Sequence, residues 1–248
     1  TNGYADSVGS NNGTPTGTNN ATGISSGAIY FDGADDNVNI SNKDDFNFEK
    51  TDAFSFSGWV NPRTIDPNME IVSKCSHPCA GWEIRSCDSC PPGDGTIRVQ
   101  LSDGSDTIII DSNNILTIGE WTYLTVTYDG SNSDNGVSIY FNGIDVTGNS
   151  EGDASLSSSM QGNDDLRIGS RPSNNLYFNG SIDEVLIYND SLTSSEVEQL
   201  YKAGLSQHAN ANITLETRTA TNYNISDANL IGVWGLNDDA NDATNSFN

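Results

Sequence analysis

Hydrophobic and polar residues alternate in short runs along most of the chain, with the two-residue period of half-buried β-strands. The clearest runs begin at Ile29, Phe54, Ile97, Trp121 and Val137, and stretches rich in Gly, Asn, Asp and Ser separate them. Short strands at regular spacing between turn residues are typical of all-β sandwiches. The pattern therefore predicts an all-β fold, a two-sheet antiparallel sandwich.

The run from residue 180 to residue 188 predicts a strand in the middle of this fold. Simple alternation puts Ile182 and Leu186 on one face, and Val185 and Ile187 on the other. A strand with apolar residues on both faces is covered on both sides. We therefore expect this strand to be central in its sheet.

The residues after this strand predict one short C-terminal helix. Thr193 and Glu196 have the spacing of a capping box, and Leu192 precedes them as the hydrophobic residue of a staple. Gly204 has the character of a helix stop. The helix is therefore predicted to end at Gly204.

The segment IDEVLIYNDSLTSSEVEQLYKAG resembles the closing strand and helix of laminin-G-like domains, which belong to the concanavalin-A-like lectin/glucanase superfamily. Three earlier stretches resemble the same family in the same order: AIYFDGADDNVNI from Ala28, FSFSGWVNP from Phe54, and GEWTYLTVTYDG with SIYFNG from Gly119. Together they cover residues 28–204. The resemblance implies a jelly-roll sandwich, in which we expect Trp59 to face inward as a core anchor.

The end of the chain, LIGVWGLNDD, resembles the opening strand of the same family, which is missing from the front. We therefore divide the chain into a sandwich without its own first strand (1–204), a linker with an edge strand predicted at 213–218 (205–229), and the opening strand (230–248). This strand has five large apolar side chains that should not stay in water. They are Leu230, Ile231, Val233, Trp234 and Leu236.

Two arrangements can cover these side chains. The strand can complete a neighbouring copy of the chain, or it can fold back as a permuted strand of its own sandwich. Joined end to start, two copies read as a complete domain beginning, and this favours the crossing to a neighbour. A head-to-tail contact of this kind does not close on itself and gives an open fibre.

The four cysteines lie in two loops at opposite ends of the predicted strand 81–86. A strand of this length separates its ends by about 20 Å, whereas disulfide-bonded Cα atoms lie within about 7 Å of each other. Each loop is therefore predicted to close on itself, Cys75 with Cys79 and Cys87 with Cys90. A four-cysteine zinc site is the alternative, and the same separation argues against it.

Charge and processing motifs limit the class of partner. The formal net charge is −24, from 34 acidic and 10 basic residues, and such a surface disfavours nucleic acid and membrane insertion or binding. Sequons and paired cysteines together indicate an extracellular or cell-surface location. Seven sequons begin at Asn12, Asn20, Asn39, Asn179, Asn189, Asn212 and Asn224.

The family resemblance implies one metal site. Its structural calcium is held by an Asp of the closing strand, a carboxylate or amide at the end of the opening strand, and a backbone carbonyl. These positions correspond to Asp183, to Asn237 or Asp238, and to Gly33, with waters or Asp32 completing the shell. The alternative is that Asp183 only hydrogen-bonds the backbone of a loop.

The sequence carries little catalytic chemistry. No strand-like run contains the paired carboxylates of a glycosidase, and the two histidines, His77 and His208, fall in loops. We therefore predict a protein without enzymatic activity. Trp82, Tyr177 and Phe178 lie near loops and are the candidates for a sugar-binding platform.

Two functions remain from this reading. The first is a non-catalytic, extracellular structural or adhesive unit, repeated along a surface filament or a giant surface protein and joined by strand complementation. Its partners are neighbouring copies and cell-surface proteins or glycans. The alternative is a calcium-assisted carbohydrate-binding module.

Overall fold

The fold was analysed in a computed structural model, which describes residues 4–24, 27–41, 44–66, 68–75, 80–87, 90–172, 176–209 and 230–234. This part of the chain contains sixteen strands, one 3-10 turn (Asp134–Gly136) and one α-helix. The strands are β1 (Gly13–Thr16), β2 (Asn19–Thr22), β3 (Gly27–Asp32), β4 (Asn37–Ile40), β5 (Phe54–Pro62), β6 (Glu70–Ser73), β7 (Ala80–Cys87), β8 (Thr96–Asp103), β9 (Thr107–Ile115), β10 (Thr122–Tyr128), β11 (Val137–Phe141), β12 (Ile144–Asp145), β13 (Thr147–Ser150), β14 (Leu166–Ile168), β15 (Asn179–Tyr188) and β16 (Leu230–Trp234); the helix is α1 (Ser194–Ala209).

The strands form two antiparallel sheets. The first has the order β1-β4-β14-β6-β7-β8-β9-β13, and the second has the order β12-β11-β10-β5-β15-β3-β2, with β16 paired to β15 beside this run. The inward residues of both sheets form one apolar core. The predicted fold class, a two-sheet jelly-roll sandwich with one C-terminal helix, is confirmed.

Aromatic side chains fill the middle of the core. Phe48 and Phe54 stack with ring centroids 4.6 Å apart, and the Trp82 ring lies 5.2 Å from Phe54. The indole N–H of Trp82 donates to the Phe46 carbonyl at 3.1 Å, so its polar atom is paired. Each of these large side chains stabilises the fold by about 1.5 to 3 kcal/mol through burial.

Trp59 is buried, but on the other face of its sheet from the one predicted. Alternation along β5 turns Phe56 and Val60 into the core, so Trp59 lies on the outer face. There it packs against Tyr123 and against Tyr201 of α1, with centroids 5.0 and 5.8 Å away. The helix thus covers the tryptophan and makes a second, smaller apolar layer.

Helix α1 begins as predicted and ends later than predicted. Glu196 accepts from the backbone N–H of Thr193 at 2.7 Å, and the Thr193 hydroxyl accepts from the Glu196 N–H at 3.3 Å. Gly204 does not stop the helix, which continues to Ala209. A Cβ at Gly204 would lie 3.2 Å from the Trp59 ring, so the glycine permits close packing.

Among the described residues, no helix combines the length and apolar composition needed to cross a membrane.

A bulge in β15 corrects the predicted division of its faces. The register with β5 shifts between Asp183 and Leu186, and Glu184 has φ 49°. Because one extra residue enters here, Ile182 shares the core face with Val185 and Ile187. Leu186 lies on the outer face beneath α1 instead.

The polar N-terminal region contains two strands that its composition does not predict. β1 adds to the edge of the first sheet beside β4, and β2 adds to the edge of the second beside β3. Both strands are largely exposed, and edge strands with a solvated side need few apolar residues. The predicted edge strand at 213–218 lies outside the described residues.

Candidate functional site

The open side of β15 is the place where the two ends of the domain meet. β3 pairs with the first half of β15, from Asn179 to Ile182, and β16 pairs with the second half, from Val185 to Tyr188. Both run antiparallel to β15, so β16 and β3 follow one another along the same edge. In the structure β16 comes from the same chain, which is the fold-back arrangement.

The bulge of β15 lies at the junction between these two strands and holds a buried carboxyl. Asp183 is 2% exposed; its Oδ2 accepts from the Ile24 N–H at 3.1 Å and its Oδ1 from the Glu184 N–H at 2.9 Å. Burial raises the pKa of Asp183 well above its usual value, and the neighbouring Glu184 carboxylate adds to the increase. The loop-backbone contact expected for Asp183 is therefore present.

The structure does not bring Gly33 to Asp183, which corrects the predicted calcium ligands. Asp32, next to Gly33, pairs with Asn179, four positions before Asp183 on β15. At about 3.3 Å per residue, the Cα atoms of Asn179 and Asp183 are more than about 12 Å apart along the strand. Calcium ligands, in contrast, lie about 2.3 to 2.6 Å from the ion. The other two candidates, Asn237 and Asp238, lie outside the described residues.

Glu184 carries a second perturbed carboxyl at this junction. Its burial raises its pKa to about 7, and the neighbouring Trp59 side chain opposes that change. The phenol of Tyr123 lies close enough for the Glu184 charge to contribute to the raised pKa of that phenol. The outer face under α1 is therefore an apolar layer with one weakly acidic group inside it.

A four-residue ionic cluster lies on the face of the first sheet that points away from the core. The Arg171 Nη2 atom is 2.8 Å from a Glu70 oxygen and 2.7 Å from both Glu83 oxygens. The Arg85 Nε atom is 3.1 Å from Glu83. Burial raises the pKa of Glu70 well above its usual value; the Glu83 carboxylate adds to this, and the two guanidinium groups oppose it.

This cluster was not predicted, and its chemistry resembles a glycosidase site only in part. Two carboxyls that share one nitrogen are about as close as the pair in retaining glycosidases. Glu70 and Glu83 are, however, 0% and 1% exposed, and Arg171 lies between them. The arrangement as it stands neutralises the carboxylates and offers a sugar no access to them.

The predicted aromatic platform is not present. Trp82 is a core residue, and Phe178 is 0% exposed and packs edge-on against Phe31. Tyr177 alone of the three is partly exposed. The three aromatic side chains therefore do not form a common exposed surface for a sugar.

The cysteine loops lie at the two ends of β7. Cys87 and Cys90 form a disulfide with Cα atoms 5.6 Å apart. Cys75 is also disulfide-bonded, and its predicted partner, Cys79, lies outside the described residues. Cys90 lies close to Asp111 and Glu151 in a group that could hold a metal, but its sulfur is in the disulfide, and Arg98 pairs with both acids.

The two-layer architecture defines a jelly-roll sandwich domain. A family model described as the concanavalin A-like lectin/glucanases superfamily matches residues 32–198. The chain belongs to this superfamily. A comparison with curated proteins finds no match.

Solved structures show the same fold at low sequence identity. The binding domain of Paraclostridial Mosquitocidal Protein 1 has a TM-score of 0.59 and 20% identity over 76% of this chain, which spans 46% of that protein's chain. Domain 4 of AbnA, a GH43 extracellular arabinanase from Geobacillus stearothermophilus in complex with arabinotriose, has a TM-score of 0.57 and 20% identity, covering 77% of this chain and 88% of that one. The heptameric SAP-like pentraxin from Limulus polyphemus has a TM-score of 0.51 and 15% identity, covering 74% of this chain and 85% of that one.

Proposed function

We propose that this chain is a non-catalytic extracellular structural and adhesive unit, repeated along a surface filament or a giant surface protein. Neighbouring units would join head to tail by strand complementation. The observation that carries the proposal is the position of β16, which comes from the far end of the chain and continues the line of β3 along β15. An edge of this kind accepts an added strand through main-chain hydrogen bonds.

The pairing of β16 does not depend on which copy supplies it. Residues 210–229 separate α1 from Leu230, and twenty residues are enough to reach the chain's own β15 or that of a neighbour. The N-terminal segment lies at the same edge, because Val8 packs on Leu186 and Tyr188, the residues that pair with β16. A strand donated by the preceding copy would therefore end close to the start of the next sandwich.

Deletion of residues 230–248 tests this proposal. The shortened chain should bind a labelled peptide of residues 230–248, because the vacated β15 edge regains its hydrogen bonds. The same peptide with Val233→Pro should bind at least about tenfold more weakly, because proline lacks the N–H and breaks the strand. Fluorescence polarisation measures both affinities.

The intact chain supplies the second half of this test. Its light-scattering mass should grow with concentration, and an excess of the peptide should reduce it. A compact monomer at every concentration, with no peptide uptake, would instead identify β16 as a permuted strand of its own domain. No sugar is added in these experiments, so any assembly that they detect does not depend on glycan binding.

A calcium-assisted carbohydrate-binding module is the second candidate function. The arabinanase domain 4 in complex with arabinotriose has this fold, and so does the binding domain of Botulinum Neurotoxin DC in complex with SialylT, with a TM-score of 0.53 and 13% identity. In this chain two of the three platform candidates, Trp82 and Phe178, are buried in the core. Binding to immobilised oligosaccharides that disappears on chelation of calcium would favour this candidate over the first.

We propose Asp183, with Asn237 or Asp238, as ligands of a structural calcium ion. The buried Asp183 carboxyl supports this, because a cation would offset the cost of its charge. Chelation should then lower the melting temperature, by an amount that grows with the calcium concentration of the untreated sample. Asp183→Asn should abolish that sensitivity, whereas Asp94→Asn, an exposed control, should keep it. Equal melting with and without chelator in the native protein means that no such site exists.

We infer that the domain has no glycosidase activity. The paired carboxyls of Glu70 and Glu83 support this, because both are covered and held by Arg171. A general acid needs to reach the glycosidic oxygen. The two carboxyls contribute to the stability of the fold instead.

A further inference from the structure

The five sequons in the described part of the chain differ in how exposed their asparagine side chains are. Asn12, Asn20 and Asn189 are exposed, and Asn39 and Asn179 are half-buried. Asn212 and Asn224 lie outside the described residues. The five described sites therefore fall into two groups.

The amide of Asn39 is hydrogen-bonded inside the fold, and that of Asn179 lies in crowded surroundings. The Asn39 Nδ2 donates to Asp165 at 3.0 Å, and its Oδ1 accepts from the Arg167 Nε at 3.2 Å. The Asn179 Oδ1 is buried, and its Nδ2 lies 3.1 Å from the place that a Cβ on Gly33 would occupy. A glycan on Asn39 would displace its hydrogen bonds, and a glycan on Asn179 would meet crowded surroundings.

Asn20 lies on a strand edge that is otherwise open. β2 ends the main run of the second sheet, and among the described strands it pairs only with β3. An unpaired edge of four residues offers backbone N–H and C=O groups to another chain. Its residues, Asn19 to Thr22, carry no charge.

The other three edge strands of the two sheets, β1, β12 and β13, are protected by features of the protein itself. β1 contains Pro15, which lacks an N–H, and its Gly13 exchanges two hydrogen bonds of 2.8 Å with Tyr4. β12 is two residues long, and β13 has an irregular register with β9. Short strands, prolines and bulges are the usual ways to blunt an edge.

We propose that Asn20 carries an N-linked glycan, which guards the open edge of β2 against pairing with other chains. A lipid-linked oligosaccharide phosphate or pyrophosphate supplies the sugar. The bond from Asn20 Nδ2 to C1 of the glycan forms and the bond from C1 to the phosphate oxygen breaks. The lipid phosphate leaves with the bonding electrons, and Nδ2 loses one proton. Thr22, the hydroxyl residue of this sequon, is exposed on the same strand.

Site mapping tests the modification. The full chain is secreted from a eukaryotic host that N-glycosylates, and a glycosidase that converts glycosylated Asn to Asp marks the modified positions for peptide mass spectrometry. Asn12, Asn20 and Asn189 should be marked, and Asn39 and Asn179 should not. An unmodified Asn20 overturns the proposal, whichever other sites are modified, and so does a glycan on Asn39 or Asn179 in the folded protein.

Matched variants test the guarding role. Asn20→Gln and Thr22→Ala both remove the glycan, and each should about double the light-scattering mass through edge pairing of two copies. Asn20→Glu also removes the glycan, but the introduced carboxylates repel each other across such a pair, so its mass should match that of the glycosylated protein. Asn189→Gln removes a different exposed glycan and should have no effect.

Two results overturn the guarding role. One is a mass for Asn20→Gln that equals that of the glycosylated protein. The other is association of Asn20→Glu as strong as that of Asn20→Gln, which places the contact elsewhere. Melting curves of all variants should agree with the parent, because the Asn20 side chain is exposed, and any head-to-tail assembly affects all of them alike.

Discussion

Arg171→Ala should lower the free energy of unfolding by about 3 to 5 kcal/mol at pH 7, the cost of leaving a buried charge without its partner. Arg171 contacts both Glu70 and Glu83, at 2.7 to 2.8 Å. Urea unfolding followed by tryptophan fluorescence measures the loss. The loss should shrink in acid, because protonation removes the unpaired negative charges.

A double-mutant cycle separates the ion pair from the packing of the arginine stem. In the Glu83→Gln background the cost of Arg171→Ala should fall by at least about 1 kcal/mol, because one charge partner is already gone. Arg167→Ala serves as the control, since Arg167 is half-buried and donates to Asn39 rather than to a carboxylate. An Arg171→Ala cost that stays the same with and without the Glu83 charge would contradict the role assigned to the cluster.

Glu184→Gln should raise the free energy of unfolding by about 2 to 3 kcal/mol above pH 7 and change it little near pH 4.5. Burial raises the pKa of Glu184 in the folded state from 4.5 to about 7. The folded protein therefore binds the proton more tightly than the unfolded chain, so stability is highest below the unfolded value and falls as the pH rises to about 7. Glutamine stays neutral and avoids this loss. Because the residue is partly exposed, the expected gain in the free energy of unfolding is smaller than the full pKa shift would give.

The measurement is a series of urea titrations from pH 4.5 to pH 8. Glu198→Gln, on the exposed face of α1, is the control and should follow the native protein within about 0.5 kcal/mol. The free energy of unfolding of Glu184→Gln should still fall somewhat as the pH rises, since the pKa of Asp183 is raised in the same direction. Parallel curves for the native protein and Glu184→Gln would show that Glu184 is not desolvated.

Alternation along the sequence predicts the strands and most of the core, and it fails where the backbone departs from regular geometry. The bulge at Glu184 moves Ile182 to the other face, because a pattern of period two has no place for an extra residue. Gly204 reads as a helix stop because sequence alone does not distinguish a C-cap from close packing on Trp59. The capping box of Thr193 and Glu196, which is local, is found where it was predicted.

The ionic cluster and the partner of Asp183 depend on contacts between distant parts of the chain. Glu70 and Glu83 meet because β6 pairs with β7 in one register, and Arg171 reaches them from the loop after β14. Asp183 accepts from Ile24, 159 positions earlier in the chain. In the sequence, the one sign of these contacts is the presence of polar residues inside otherwise apolar strands. It does not indicate which residues they contact.

The place of β15 in the second sheet also determines the order in which the domain can close. β5 and β3 are neighbours only through β15, which is inserted between them. Until residues 179–188 have been synthesised, β2 and β3 have no described partner in that sheet beyond each other. Contacts of such long sequence separation slow folding. A nascent or truncated chain that stops before residue 179 should therefore hold the inward residues of β3 and β5 exposed, and require protection from aggregation until the last large strand arrives.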